Sequence, residues 1–226
     1  RPDGMTPDEF HDFLIDEMKQ AIEDIGAENI ACFIAEPIMG AGGVIVPPDG
    51  YHKRTRDLCT QYDIKYISDE VVTAFGRLGH MFASKDLFDI EPDIITTAKG
   101  LTSGYQPMSA TIISDEIYDV ISERGDMFLH GMTYSGHPAC CAAAIANIEI
   151  LESERIPETV RTVGKIFEQG IKSLEDLEIV GEARGSHFMM GIEFVRDKQT
   201  KETFDDDIAI GMRVSLQAQA RGLIVR

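Results

Sequence analysis

The 226-residue sequence predicts an α/β fold: a mostly parallel central sheet flanked by helices, followed by the start of a smaller α+β unit. Two patterns carry this expectation. Apolar runs of strand length alternate with amphipathic helical segments as far as about Leu177, and runs that are apolar throughout are the kind a parallel sheet buries on both faces. After Leu177 the pattern changes to turn-linked strand-like runs, "LEIVGEARG" and "HFMMGIEFV". With 43% hydrophobic residues, the chain can bury a real core.

The first helix is expected over residues 7–25. Thr6 and Glu9 form a capping box around a proline at the first helical position, and Phe10, Phe13, Leu14, Ala21, Ile22 and Ile25 recur at helical spacing. "NIACFIAEP" then reads as a strand stopped by Pro37, "MGAGGVIVPPDG" as a glycine-rich loop, and residues 51–62 as a second helix. Gly40, Gly42 and Gly43 lack the GxGxxG spacing of a phosphate cradle and read as a tight turn. "IKYISDEV" is a second strand, residues 75–84 lie in a loop, and "PDIITTAKG" and "MSATIIS" are the third and fourth strands. Helices are expected near residues 114–123, 138–154 and 157–177, and again at 207–221, where Asp205, Asp206 and Asp207 supply negative charge to a helix N-terminus. A further strand is expected to begin at "GLIVR".

Composition narrows the function. A formal charge of −18 argues against nucleic acid or an anionic membrane as partner, because both select for basic faces. No apolar run approaches the roughly 20 residues of a membrane span, and Arg1 opens a polar stretch unlike a signal peptide. Cys32, Cys59, Cys140 and Cys141 show no CxxC spacing, so neither a zinc site nor a disulfide framework is expected. They read as small core residues in a reducing, cytoplasmic setting.

Three of the strand-like runs end in ionisable residues: "CFIAE" in Glu36, "YISDE" in Asp69 and Glu70, "IITTAK" in Lys99. In a parallel sheet these ends share one edge, the edge at which open α/β folds bind ligands. A lysine beside apolar, threonine-rich sequence is expected to be desolvated, which lowers its amine pKa and frees the neutral nucleophile for Schiff-base chemistry. An aspartate nearby can hold a protonated pyridine nitrogen, the pairing with which pyridoxal phosphate acts as an electron sink. Singly, each residue also reads as a cap, a turn or a solvated surface group.

Four longer stretches then follow one another: "AEPIMGAGGVIVPPDGY", "ISDEVVTAFGRLG", "PDIITTAKGLTSGYQPMSA" and "HGMTYSGHPACCAAAIANIEILE". In these the chain resembles the class III aminotransferases, pyridoxal-phosphate enzymes of fold type I that act on amines and ω-amino acids. The resemblance implies that Lys99 carries the cofactor as a Schiff base and that Asp69 partners its ring nitrogen. Val71 would pack on the ring face, with plain strand core as the other reading. Thr133 would donate to the cofactor phosphate of the neighbouring subunit, with the Met132 backbone close by; a turn or cap hydroxyl is the alternative. Glu36 would lie at the substrate end, or serve in a structural salt bridge. Glu70 and Arg77 read as structural charges stabilising a loop. Leu78, Met132 and Ser109 stand where the family often has a threonine, an aromatic and a glycine, and the last two bear on pocket shape.

The resemblance further implies an internal segment of a longer chain. Residues 1–156 would form part of a large cofactor-binding domain, and residues 157–226 a linker helix and part of a small C-terminal domain. The family's phosphate cup, ring-stacking aromatic and substrate-carboxylate arginine would lie outside the segment. A homodimer with shared active sites is expected. The expected activity is transfer of an amino group from an amine or ω-amino acid to a keto acid, pyruvate or 2-oxoglutarate, with Lys99 as proton carrier. Other readings are an aminomutase or epimerase working without a keto acid, and a non-catalytic dimerising domain. A cofactor-free lysine aldolase, or a metal site at Glu36, Asp69 and Glu70, is disfavoured because no histidine lies near these carboxylates in sequence.

Overall fold

The computed structural model describes residue 2, residues 4–125 and residues 127–225. Helix α1 spans Pro7–Ile25 and starts as its capping box dictates. Thr6 Oγ1 accepts the Glu9 N–H at 3.2 Å, and Glu9 Oε2 accepts the Thr6 N–H at 2.8 Å. After strand β1, Cys32–Ala35, comes helix α2, Tyr51–Gln61. One apolar cluster joins α1 and α2 to the sheet: Ile22, Leu58, Cys59, Ile64, Tyr66 and Ile90. Burying Ile64 and Ile90 stabilises the fold by about 2 kcal/mol each.

Strand β2, Lys65–Asp69, leads to the short helix α3, Ala83–Phe88, then to β3, Ile94–Thr97, and β4, Ala110–Ile113. The sheet order is β1-β2-β3-β4, with β1–β2 and β2–β3 parallel and β3–β4 antiparallel. Along β2 the alternation is visible: Tyr66 and Ser68 are buried, while Lys65, Ile67 and Asp69 are half-buried. Ile34, in register with Ile67, remains 56% exposed on that second face.

The expected loop over 75–84 ends earlier than the sequence suggests, because α3 begins at Ala83. Its cap is not local: Glu70 Oε2 accepts the Ala83 N–H at 2.7 Å and Glu70 Oε1 accepts the Ser84 N–H at 2.9 Å. The cysteine expectation holds only for Cys59, which is buried. Cys32 is exposed on β1, and Cys140 and Cys141 are half-buried.

Helix α4 spans Asp115–Glu123, α5 Pro138–Ser153 and α6 Ile156–Lys172, the last continuing as a 3₁₀ turn through Ser173–Asp176. Strands β5, Val180–Ser186, and β6, Met189–Phe194, form a separate antiparallel hairpin. Its tip lies against α6 so closely that a Cβ on Gly164 would come within 2.9 Å of His187 Cβ. Arg184 Nε donates to Gly43 O at 2.8 Å, tying the hairpin to the glycine-rich loop. That loop is the tight turn the sequence suggests, with Gly43 and Val44 N–H both donating to Gly40 O at 3.1 Å.

Helix α7, Ile210–Gln219, follows a 3₁₀ turn at Asp206–Ile208. The strand expected at "GLIVR" does not form over residues 222–225. A strand needs a neighbour to bond, and this segment bonds α7 instead: Leu223 N–H donates to Ala218 O at 3.0 Å, and Ser215 Oγ to Val225 O at 2.7 Å. Arg226 lies outside the described residues.

Candidate active site

The sheet brings Glu36, Asp69 and Lys99 to a single edge. Strands β1, β2 and β3 are adjacent and parallel, and these residues close or follow their C-terminal ends.

Beyond Thr97 the chain turns out of the sheet. Lys99 has φ +41°, a left-handed backbone in a residue that bears a Cβ, and opens a 3₁₀ turn over Lys99–Leu101. Such a conformation costs about 1–3 kcal/mol and persists only where its surroundings hold it. The Leu101 N–H donates to Ala98 O at 2.9 Å. From α5, Asn147 Nδ2 donates to Gly100 O at 2.8 Å and to Leu101 O at 3.1 Å. Phe75 also closes in: a Cβ on Gly100 would stand 2.9 Å from Phe75 Cβ, so only glycine fits without displacement.

The Lys99 side chain lines a cleft of about 490 Å³ together with Val72, Phe75, Arg77, Ser103 and Phe188. Lys99 is exposed within this segment. The apolar run stops at Thr97, and the turn lifts the lysine beyond the buried part of the sheet.

Asp69 is half-buried, and its Oδ1 accepts the Val71 N–H at 3.0 Å. Among the described residues its Oδ2 has no hydrogen-bond partner. Thr96, in register with Asp69, holds a buried hydroxyl that is likewise unpartnered. Glu70 lies on the opposite side of the strand and binds the start of α3, so the strand end that carries Asp69 is fixed from behind. Val71 is half-buried, but it is Val72 that lines the cleft with Lys99.

Glu36 Oε2 accepts the Gly40 N–H at 2.8 Å, closing the glycine turn. It forms no ion pair among the described residues, so a backbone bond replaces the salt bridge considered from sequence. Arg77 is exposed and also unpaired among the described residues; its charge does not brace the loop, although Glu70 does. Leu78 is fully buried with Ile38, Ala83 and Met189.

Met132, Thr133 and Ser109 do not join Lys99 within one chain. They line a separate hollow of about 660 Å³ with Gln106, His137 and Cys141. Thr133 sits in a turn in which the Met132 N–H donates to Ser135 Oγ at 3.0 Å, and the N-cap position of α5 falls at His137, so Thr133 is not a helix cap.

Asn147 escaped the sequence reading. Its signal was present: a polar residue at the centre of the face formed by Ala144, Asn147 and Leu151, in a helix otherwise rich in alanine and isoleucine.

The donor set fits pyridoxal phosphate. An amine stands in a cleft, and at the same sheet edge a half-buried carboxylate has one unengaged oxygen beside an unpartnered hydroxyl.

A model of the family described as Aminotransferase class-III matches residues 5–226. The chain belongs to the class III aminotransferases. Gamma-aminobutyrate transaminase 1, mitochondrial, of Oryza sativa subsp. indica is 42% identical over 99% of this chain and 44% of its own length. Putrescine–pyruvate aminotransferase of Pseudomonas aeruginosa is 44% identical over 98% of this chain and 48% of its own length. The crystal structure of a thermostable (S)-enantioselective omega-transaminase from Thermomicrobium roseum matches with a TM-score of 0.95 at 44% identity, over 99% of this chain and 50% of that one. The chain thus spans about half the length of the relatives it matches. The mostly parallel sheet with its helices is that of fold type I transaminases. No helix among the described residues is long and apolar enough to cross a membrane.

Proposed function

We propose that this chain is the lysine-bearing part of a pyridoxal-phosphate-dependent transaminase that moves an amino group from an amine or ω-amino acid to a keto acid, pyruvate or 2-oxoglutarate. The observation that carries the reading is the arrival of Lys99 and Asp69 at one sheet edge, at the ends of adjacent parallel strands. Bound there, the cofactor supplies an electron sink for a carbanion beside the substrate nitrogen. Lys99 Nζ would hold the cofactor and, once the substrate's amine has displaced it, would take the proton from the amine-bearing carbon as base and return it as acid. Asp69 Oδ2 would face a protonated ring nitrogen and keep its charge, while the Val71 N–H fixes Oδ1. Val71 would flank the ring, and Glu36 would border the substrate.

Thr133 and the Met132 backbone serve the phosphate of a partner subunit's cofactor. In support, their segment is apolar and uncovered: Met127 is 81% exposed, Leu129 87%, Met132 80% and Tyr134 80%, a surface that a second copy would bury. The separate β5–β6 hairpin supports dividing the chain into part of a large domain, residues 1–156, and a linker helix with part of a small C-terminal domain, residues 157–226. A cytoplasmic setting without nucleic acid or membrane as partner is our reading of four cysteines without disulfide spacing and a formal charge of −18.

An amine-donor screen on the full-length protein, with pyruvate and 2-oxoglutarate as acceptors and read by cofactor absorbance, tests the activity. Turnover that needs no keto acid would point instead to an aminomutase.

A further inference from the structure

We propose that Asn147 is a positioning residue for Lys99, an inference that rests on the role given to Lys99 above. Asn147 is only 9% exposed, and its amide donates both to Gly100 O and to Leu101 O, the two carbonyls that follow Lys99. Asparagine is a poor helix-interior residue, because its side chain competes for backbone groups. In α5 it instead turns inward between Ala144 and Leu151 and reaches across to another element. The turn it reaches is the one that holds Lys99 at φ +41°.

Two supports from different parts of the chain meet that turn. Phe75 leaves no space for a side chain at Gly100, and Asn147 holds the carbonyls on the α5 side. Phe75 blocks movement toward the loop that follows β2, but contact alone does not fix peptide orientation. The amide does, because both carbonyls must aim at one nitrogen. The direction in which Lys99 leaves the sheet is therefore set by a residue 48 positions later that touches no reacting atom (147 minus 99). Without it the backbone is free to relax toward an ordinary conformation, and Lys99 Nζ swings within the open cleft.

The test uses the full-length protein and three variants: Asn147→Ala, Lys99→Ala and, as a packing control on the same buried helix face, Leu151→Ala. Apo-protein is mixed with pyridoxal phosphate, and the rise of the lysine-bound absorbance is timed. Borohydride reduction and peptide mass then identify the lysine modified. Two lost hydrogen bonds should slow attachment at Lys99 by about tenfold in Asn147→Ala and lower kcat by a similar factor, with KM little changed. Leu151→Ala should lower the unfolding temperature yet attach the cofactor at the normal rate. Should Asn147→Ala fail to fold, Asn147→Ser, which is smaller and can donate a single bond, carries the same comparison. Attachment and kcat no more affected in the Asn147 variant than in Leu151→Ala would overturn the positioning role while leaving the Lys99 reading intact. Cofactor still trapped at the wild-type rate in Lys99→Ala would overturn both.

Discussion

Glu70 and Ser84 are joined twice: the buried carboxylate accepts the Ser84 N–H at 2.9 Å and the Ser84 hydroxyl at 2.5 Å. Its other oxygen accepts Ala83 N–H at 2.7 Å and Thr73 Oγ1–H at 3.1 Å. A carboxyl group 0% exposed just past β2 thus bonds the loop at Thr73 and starts α3, a helix of 6 residues with no side-chain cap of its own. It also anchors the backbone one residue from Asp69.

Glu70→Ala should cost about 3–4 kcal/mol, since it strands buried donors that water cannot reach. Denaturant unfolding checks this, and a loss below about 1 kcal/mol would show that α3 is capped in some other way.

Removing the charge at Asp69 while keeping its shape separates attachment from turnover. In full-length Asp69→Asn the amide oxygen can still accept the Val71 N–H, so Lys99 should still bind the cofactor, while kcat falls by about 100-fold or more. Rapid-mixing absorbance with a saturating amine measures it. A kcat within a factor of a few of wild type would remove Asp69 from the mechanism.

His52 predicts how stability changes with acid. Its ring is 3% exposed, with Nε2 at 2.9 Å from Pro37 O and Nδ1 at 2.9 Å from Tyr66 Oη. A carbonyl only accepts, so Nε2 carries the proton and Nδ1 accepts from Tyr66, whose phenol pKa burial pushes up. Burial holds the His52 imidazole below its ordinary pKa. The unfolded chain therefore takes up a proton first: the stabilisation is full above about pH 6.5 and is lost as pH falls through the lower folded value. The unfolding temperature should drop between about pH 7 and pH 5. His11 and His187, also lowered chiefly by burial, add to this slope, so His52→Gln should flatten it in part. An unchanged slope in that variant would rule out His52 as a contributor.

Thr6→Ala removes one half of the α1 capping box and leaves the Glu9 N–H without its acceptor. The expected loss is about 1 kcal/mol, read from the denaturant midpoint of the full-length protein. A loss near zero would mean that α1 is held by its packing on α2 and not by its cap.

The sequence by itself determined what is local. A capping box and a 3.6-residue apolar period lie within a few positions of one another, which is why α1 begins and ends where Thr6 and Ile25 indicate. The apolar runs gave β1 to β4, and the ionisable residues at their ends became an edge as soon as the strands were parallel. Only the tertiary structure decided the rest, because each remaining feature is a contact between residues far apart along the chain. Glu70 starts α3 from 13 positions away, and Asn147 grips the carbonyl of Gly100 from 47. Lys99 leaves the sheet through a backbone turn at φ +41°, an angle that neither hydrophobicity nor spacing encodes and that Asn147 and Phe75 hold from two other parts of the chain.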